Sequence, residues 1–69
     1  MKHIQIHDFV KWELDMFLRE CNFTDDEREF FERRAKNMPI QRIAEEMNIS
    51  IGKADQLSRK VKNKIIKVL

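Results

Sequence analysis

Few residues of this 69-residue chain have the types and spacing that chemistry at a protein site requires. His3 and His7 are four residues apart, so on one helix they could share a metal ion, with Asp8 beside them. Two histidines are fewer than the four ligands of a structural zinc site, and we predict no metal and no cofactor. Cys21 has no histidine at helical spacing and is predicted to be a buried core thiol rather than a nucleophile.

Catalysis is not expected from the hydroxyl residues either. Thr24 and Ser50 stand where helix N-caps are predicted, and Ser58 lies in mid-helix with no histidine at helical spacing. The single glycine excludes the phosphate-binding loops of nucleotide-dependent enzymes, which need two or three. We therefore expect that the protein is not an enzyme.

The charge of the chain is unevenly distributed. Residues 1–38 carry seven Lys or Arg against nine Asp or Glu, whereas residues 39–69 carry seven against three. A basic C-terminal half favours a polyanionic partner such as double-stranded DNA, although a solvated lysine-rich helix face is the alternative. One cysteine cannot form an internal disulfide, and no stretch suits a signal peptide or a membrane span. A cytoplasmic protein with no membrane partner is expected.

Apolar spacing predicts four helices and no strand, in a chain that is 42% hydrophobic. The first helix, over residues 4–20, has its apolar stripe at Ile6, Val10, Leu14, Phe17, Leu18 and Cys21. Asn22 is expected to end this helix in a left-handed conformation. Thr24 and Glu27 then form a capping box that begins the second helix, which ends near Lys36 and Asn37.

The third and fourth helices are predicted on either side of a tight turn. Ile40, Ile43, Ala44 and Met47 form the inner face of the third helix, and Ala54, Leu57, Val61, Ile65 and Val68 form that of the fourth. Asn48 occupies the left-handed position of the turn, and Ser50 caps the fourth helix. The expected fold is a single all-α domain, with an N-terminal helix over 1–21 and a three-helix core over 23–69.

Residues 40–57 have the layout of a helix-turn-helix, with a small residue, Ala44, where two helices cross. Residues 23–31, Phe-Thr-Asp-Asp-Glu-Arg-Glu-Phe-Phe, resemble the opening shared by LuxR-type domains and the C-terminal promoter-reading domain of sigma-70 family factors. The register continues without a gap to Ser50. Arg42 stands where these families have glutamate, and Lys53-Ala54 where they have Thr-Val. The small size is similar to that of sigma-factor-like regulators of phages and mobile elements.

The resemblance implies a sequence-specific DNA-binding transcription regulator whose fourth helix, about 50–66, is the recognition helix in the major groove. The implied DNA-binding residues are Arg42, Ser50, Ile51, Gly52, Lys53, Gln56, Arg59, Lys60, Asn63 and Lys64. Residues at the start of the helix are expected at base edges, and Arg42 and the later lysines at phosphates. The alternative is a protein-interaction module that docks on RNA polymerase or another regulator and does not bind DNA itself.

The first helix carries a second apolar lobe formed by Phe9, Trp12 and Met16. A helix that is apolar on two sides generally has two partners, so this lobe predicts a homodimer interface. The alternative is that the third and fourth helices cover both lobes.

Overall fold

The computed structural model describes residues 5–69 and is all-α. A short 3-10 turn, Ile6–Asp8, precedes four helices: α1 (Lys11–Glu20), α2 (Asp25–Ala35), α3 (Ile40–Met47) and α4 (Ile51–Val68). Residues 5–69 contain no strand, and none of their helices has the length and apolar character needed to cross a membrane. The predicted all-α class with four helices is confirmed.

The first helix was predicted too long. Its predicted start, residue 4, lies outside the described residues, and extended backbone at Phe9 and Val10 separates the 3-10 turn from α1. The break lets Ile6 enter the core while the Phe9 ring meets Phe17 edge to face, with the ring centroids 4.9 Å apart. Val10, predicted in the buried stripe, is turned outward and is 53% exposed. A continuous helix would keep Val10 on the same side as Ile6.

Left-handed asparagines end α1, α2 and α3, as the sequence predicts. The φ angles are 53° at Asn22, 65° at Asn37 and 56° at Asn48. After α2 and α3, the amide that follows the asparagine donates a hydrogen bond across the turn. Met38 N–H donates to the Arg33 carbonyl, and Ile49 N–H donates to the Ala44 carbonyl. These 6→1 bonds satisfy carbonyls that the helix ends would leave unpaired.

The core lies where α4 packs against α2 and α3. The predicted stripe of α4 is buried at Ala54, Leu57, Val61 and Ile65, while Val68 is only partly covered. Facing it are the fully buried side chains of Phe17, Phe30, Phe31 and Ile43. The stripe therefore holds one side of α4 in the core and leaves the opposite side to solvent.

Candidate nucleic-acid interface

The turn between α3 and α4 sets the direction in which α4 leaves the core. Asn48 reverses the chain, and the Ile49 side chain packs against the core beside it. Ser50 then caps α4, because its Oγ accepts a hydrogen bond of 3.0 Å from the Lys53 amide. The first turn of α4 is thus fixed by a cap at one end and by buried Ala54 directly after it.

The outward side of α4 is mostly polar and carries more basic than acidic residues. Its exposed residues away from the buried stripe are Gly52, Asp55, Gln56, Arg59, Lys60, Asn63, Ile66 and Lys67. Lys53 lies at the edge of this face and is half-buried. The structure therefore brings Lys53, Gln56, Arg59, Lys60 and Asn63 together on one helix surface, as the sequence predicted. We call this surface the α4 basic face.

The α4 basic face has four cations, Lys53, Arg59, Lys60 and Lys67, and one exposed carboxylate, Asp55, which forms no ion pair within residues 5–69. Within residues 5–69 every ion pair shorter than 4.0 Å involves other cations, and Arg59, Lys60 and Lys67 have none. Like charges on one helix side, without partners, create a positive potential that attracts a polyanion. The basic character of the C-terminal half is thereby concentrated on one surface.

Lys64 lies apart from the α4 basic face, although the sequence grouped it with these residues as a DNA contact. Its ammonium group pairs with the Glu27 carboxylate and donates to the Asn22 carbonyl at 3.2 Å. The Glu27 side chain is only 5% exposed and also accepts from the Thr24 amide at 3.0 Å in the predicted capping box. Lys64 lies at the flank of α4 that faces the start of α2. Its charge is therefore used within the fold.

Arg42 is exposed on the first turn of α3, but it has a protein partner. Its Nε lies 3.3 Å from Glu46 Oε2, and the other oxygen of Glu46 lies 3.3 Å from Nε of Arg33. Because Arg33 remains on Glu46, Arg42 can turn toward a phosphate without leaving that carboxylate unpaired. The position is consistent with a phosphate contact and shows no preorganisation for one.

The first turn of α4 presents little side chain and an accessible backbone. Ile51 is 52% exposed, and Gly52 is exposed with a negative φ. A methyl group added at Gly52 would meet only Ser50 Oγ, at 3.9 Å. Nothing in the fold therefore requires glycine here, although glycine also permits close approach of another molecule to the backbone.

The predicted second lobe of the N-terminal helix is divided. Phe9 and Met16 are partly buried and pack against the core, so the protein's own interior covers much of both. Trp12 is 68% exposed. Of the three predicted dimer residues, only Trp12 stands out as a large exposed apolar side chain.

Neither His7 nor Cys21 belongs to a metal-binding cluster in the described region. Residues 5–69 contain no cluster of three or more His, Cys, Asp or Glu side chains that could hold a metal ion. His3 lies outside the described residues, and His7 Nε2 lies 3.4 Å from Asp8 Oδ1. Cys21 is buried, and burial raises the pKa of its thiol against the opposing charge of Lys64. A thiol of this kind is a poor nucleophile.

Comparison of the chain with known proteins finds no matching family model and no significantly similar curated protein or solved structure. The ligand of the α4 basic face must therefore be inferred from its own charge, exposure and position on the fold.

Proposed function

We propose that the protein is a sequence-specific DNA-binding transcription regulator, with α3, the Asn48 turn and α4 acting as a helix-turn-helix. The α4 basic face carries this proposal, because it is exposed, opposite the buried stripe and without carboxylate partners among residues 5–69. The major groove of DNA is about 12 Å wide and admits one α-helix. A helix held by one apolar side alone can insert the other side without unfolding any part of the core.

The proposal divides the face into base-reading and phosphate-binding parts. Lys53 and Gln56 lie in the first two turns, which enter the groove deepest in a helix-turn-helix. In the major groove, glutamine can form hydrogen bonds with the edge of adenine, and lysine with the edge of guanine. Arg59, Lys60 and Asn63 lie further along α4, where they meet phosphates. The resemblance of residues 23–50 to LuxR-type and sigma-70 domains supports the same use of α4, in the cytoplasm where DNA is accessible.

Charge reversal on α4 tests the proposal. A duplex selected from a random DNA library and a scrambled duplex are titrated by fluorescence anisotropy at several salt concentrations. Lys60→Glu should reduce the log–log salt slope by about 0.9, the value of one lost phosphate contact. Lys53→Glu should cost about 1–3 kcal/mol on the selected site and flatten discrimination at one base pair.

Arg28→Glu is the matched control, since it changes net charge equally at an exposed position of α2. Circular dichroism should show that all three variants remain helical. If folded Lys53→Glu and Lys60→Glu bind DNA like Arg28→Glu, α4 does not contact DNA. If the wild type binds DNA no better than a neutral protein does at low salt, DNA binding itself is wrong.

A protein-interaction module is the second candidate, favoured by exposed isoleucines on α4. Ile51 and Ile66 are 52% and 56% exposed, and neither is needed to bind phosphates. The periodicity of α4 indicated that Ile66 lies outside the buried stripe, but it was not among the predicted site residues. A partner such as RNA polymerase would bury these side chains. Its binding would depend weakly on salt and would be lost in Ile66→Ser, whereas the DNA-binding function would survive that change.

A further inference from the structure

Asp55 is the single acidic residue of α4, and it lies on the side of the helix that the proposed function turns toward DNA. Residues 51–68 carry six Lys or Arg side chains but no other carboxylate. Successive residues of an α-helix are about 100° apart, so Asp55 lies within about 40° of both Ile51 and Arg59 around the helix axis. Its side chain is exposed, beside the residues that are expected at base edges.

The fold gives no reason for an acidic side chain at position 55. The helix dipole stabilises a negative charge in the first turn, but Asp55 is the fifth residue of α4 and lies beyond that turn. Aspartate is also among the weaker helix formers. Its carboxylate forms no hydrogen bond or ion pair with any of residues 5–69, although Arg59 lies one turn further along the same side.

The negative charge of Asp55 opposes binding to DNA in general. The phosphates of every duplex repel a carboxylate, so Asp55 weakens the affinity for all sequences in which nothing offsets this repulsion. A hydrogen-bond donor on a base edge does offset it. Cytosine presents its N4 amino group in the major groove, and aspartate can accept a hydrogen bond from it. An exposed aspartate on this side of α4 therefore favours sites with cytosine at one position.

We propose that Asp55 is a specificity-determining residue that accepts a hydrogen bond from the N4 amino group of one cytosine in the major groove. This inference rests on the proposed function, in which α4 enters that groove. Lys53 and Gln56 add affinity at the bases that they contact, whereas Asp55 lowers the affinity for duplexes that lack the cytosine. Specificity is a difference between two affinities, and it can be gained by weakening the wrong complex.

Asp55→Asn tests the role of the charge with almost no change of shape. Preferred duplexes are selected from a random DNA library with the wild type and with the variant, and affinities are measured by fluorescence anisotropy. The wild type should prefer cytosine at one position by about 5- to 150-fold, the range that one mismatched base pair costs. Because asparagine forms hydrogen bonds with adenine, the variant should select adenine there instead. Its affinity for a scrambled duplex should rise about twofold or more, since a repelling charge is removed.

Glu32→Gln is the matched control, because it also replaces an exposed carboxylate by an amide. Glu32 lies on α2, at a groove between α1 and α2 that is separate from the α4 basic face. This variant should keep every base preference of the wild type. Asp55→Ala should lose the cytosine preference without gaining one for adenine, which separates the lost contact from the new one. Circular dichroism should show that all three variants are as helical as the wild type.

Failure of the Asp55 role and failure of DNA binding give different results. If the wild type enriches no sequence from the library, sequence-specific DNA binding is wrong and the role of Asp55 is wrong with it. If the wild type enriches a site and Asp55→Asn keeps the same preference at every position, DNA binding stands but Asp55 contacts no base. Loss of the same cytosine preference in Glu32→Gln would also overturn the role, since the preference would not come from Asp55.

Discussion

Replacing Lys64 by methionine measures what its pairing with Glu27 contributes to the fold. Methionine keeps an unbranched apolar stem but removes the charge, so the buried Glu27 carboxylate retains only the hydrogen bond that it accepts from the Thr24 amide. A hydrogen bond to a charged group contributes about 1.5–3 kcal/mol, and breaking a fully buried ion pair on one side costs about 3–5 kcal/mol. Because the Lys64 side chain is 32% exposed, water screens part of this loss. We expect the free energy of unfolding to fall by about 1–3 kcal/mol.

The same pair predicts a pH dependence of stability. Burial raises the pKa of Glu27, but hydrogen bonds from Lys64 and the Thr24 amide, with the charge of Lys64, outweigh burial and leave this pKa lowered. The pKa of a glutamate in an unfolded chain is about 4.3. The unfolded chain therefore binds this proton more readily, so Glu27 stabilises the fold above that pH. The contribution is lost as pH falls through the lower pKa of the folded protein. Glu27→Gln should be less stable than the wild type at neutral pH, and its free energy of unfolding should fall less than that of the wild type on acidification.

Lys60→Met is the matched control for Lys64→Met, because Lys60 is exposed and has no carboxylate partner among residues 5–69. Both variants are unfolded with urea and with heat while circular dichroism is recorded. Lys60→Met should stay within about 0.5 kcal/mol of wild type. Lys64→Met should melt roughly 4–8 °C lower for each kcal/mol lost. Equal stability of the two variants at neutral pH would show that the Glu27–Lys64 pair does not hold α2 and α4 together.

Three further changes test the turn, the glycine and the thiol. Asn48→Val should lower the free energy of unfolding in urea by about 1 kcal/mol or more, whereas Asn48→Gly should not, because valine resists a positive φ. Equal stability of the two variants would contradict this. Gly52→Ala should stabilise the fold by up to about 1 kcal/mol, because alanine is the better helix former, yet its methyl group should weaken DNA binding. An unchanged affinity for DNA would mean that no ligand approaches the backbone at Gly52. Cys21 should react slowly with iodoacetamide until urea unfolds the chain, because burial raises its pKa; rapid labelling of the native protein would refute this.

Local signals in the sequence correctly predicted how most helices begin and end. Thr24 and Glu27 cap α2, Ser50 caps α4, and Asn48 adopts the left-handed conformation that its position required. Each of these signals acts between residues at most three positions apart, so the chain on either side does not alter it. The stripe of α4 was predictable for a similar reason, because its period repeats over an 18-residue helix.

Predictions failed where packing competes with local preference. The periodicity of residues 4–20 allows one continuous helix, whereas the structure is extended at Phe9 and Val10 and packs both Ile6 and Phe9 against the core. Valine offers no side-chain acceptor at that break, and the start of α1 is marked only by Glu13, whose carboxylate accepts from the Val10 amide at 3.0 Å. The stabilisation comes from burial of Ile6 and Phe9 against α2 and Phe17, which lie further along the chain than local spacing can indicate.

The sequence by itself determined an all-α chain, its turns and the basic character of α4, because these depend on residue type and short-range spacing. Only the tertiary structure decided which cations face outward. Lys60 and Lys64 are four residues apart and chemically identical, yet Lys60 is exposed on the α4 basic face while Lys64 pairs with Glu27, 37 positions away. A buried carboxylate needs a partner cation, and the fold supplies whichever one its packing brings within reach.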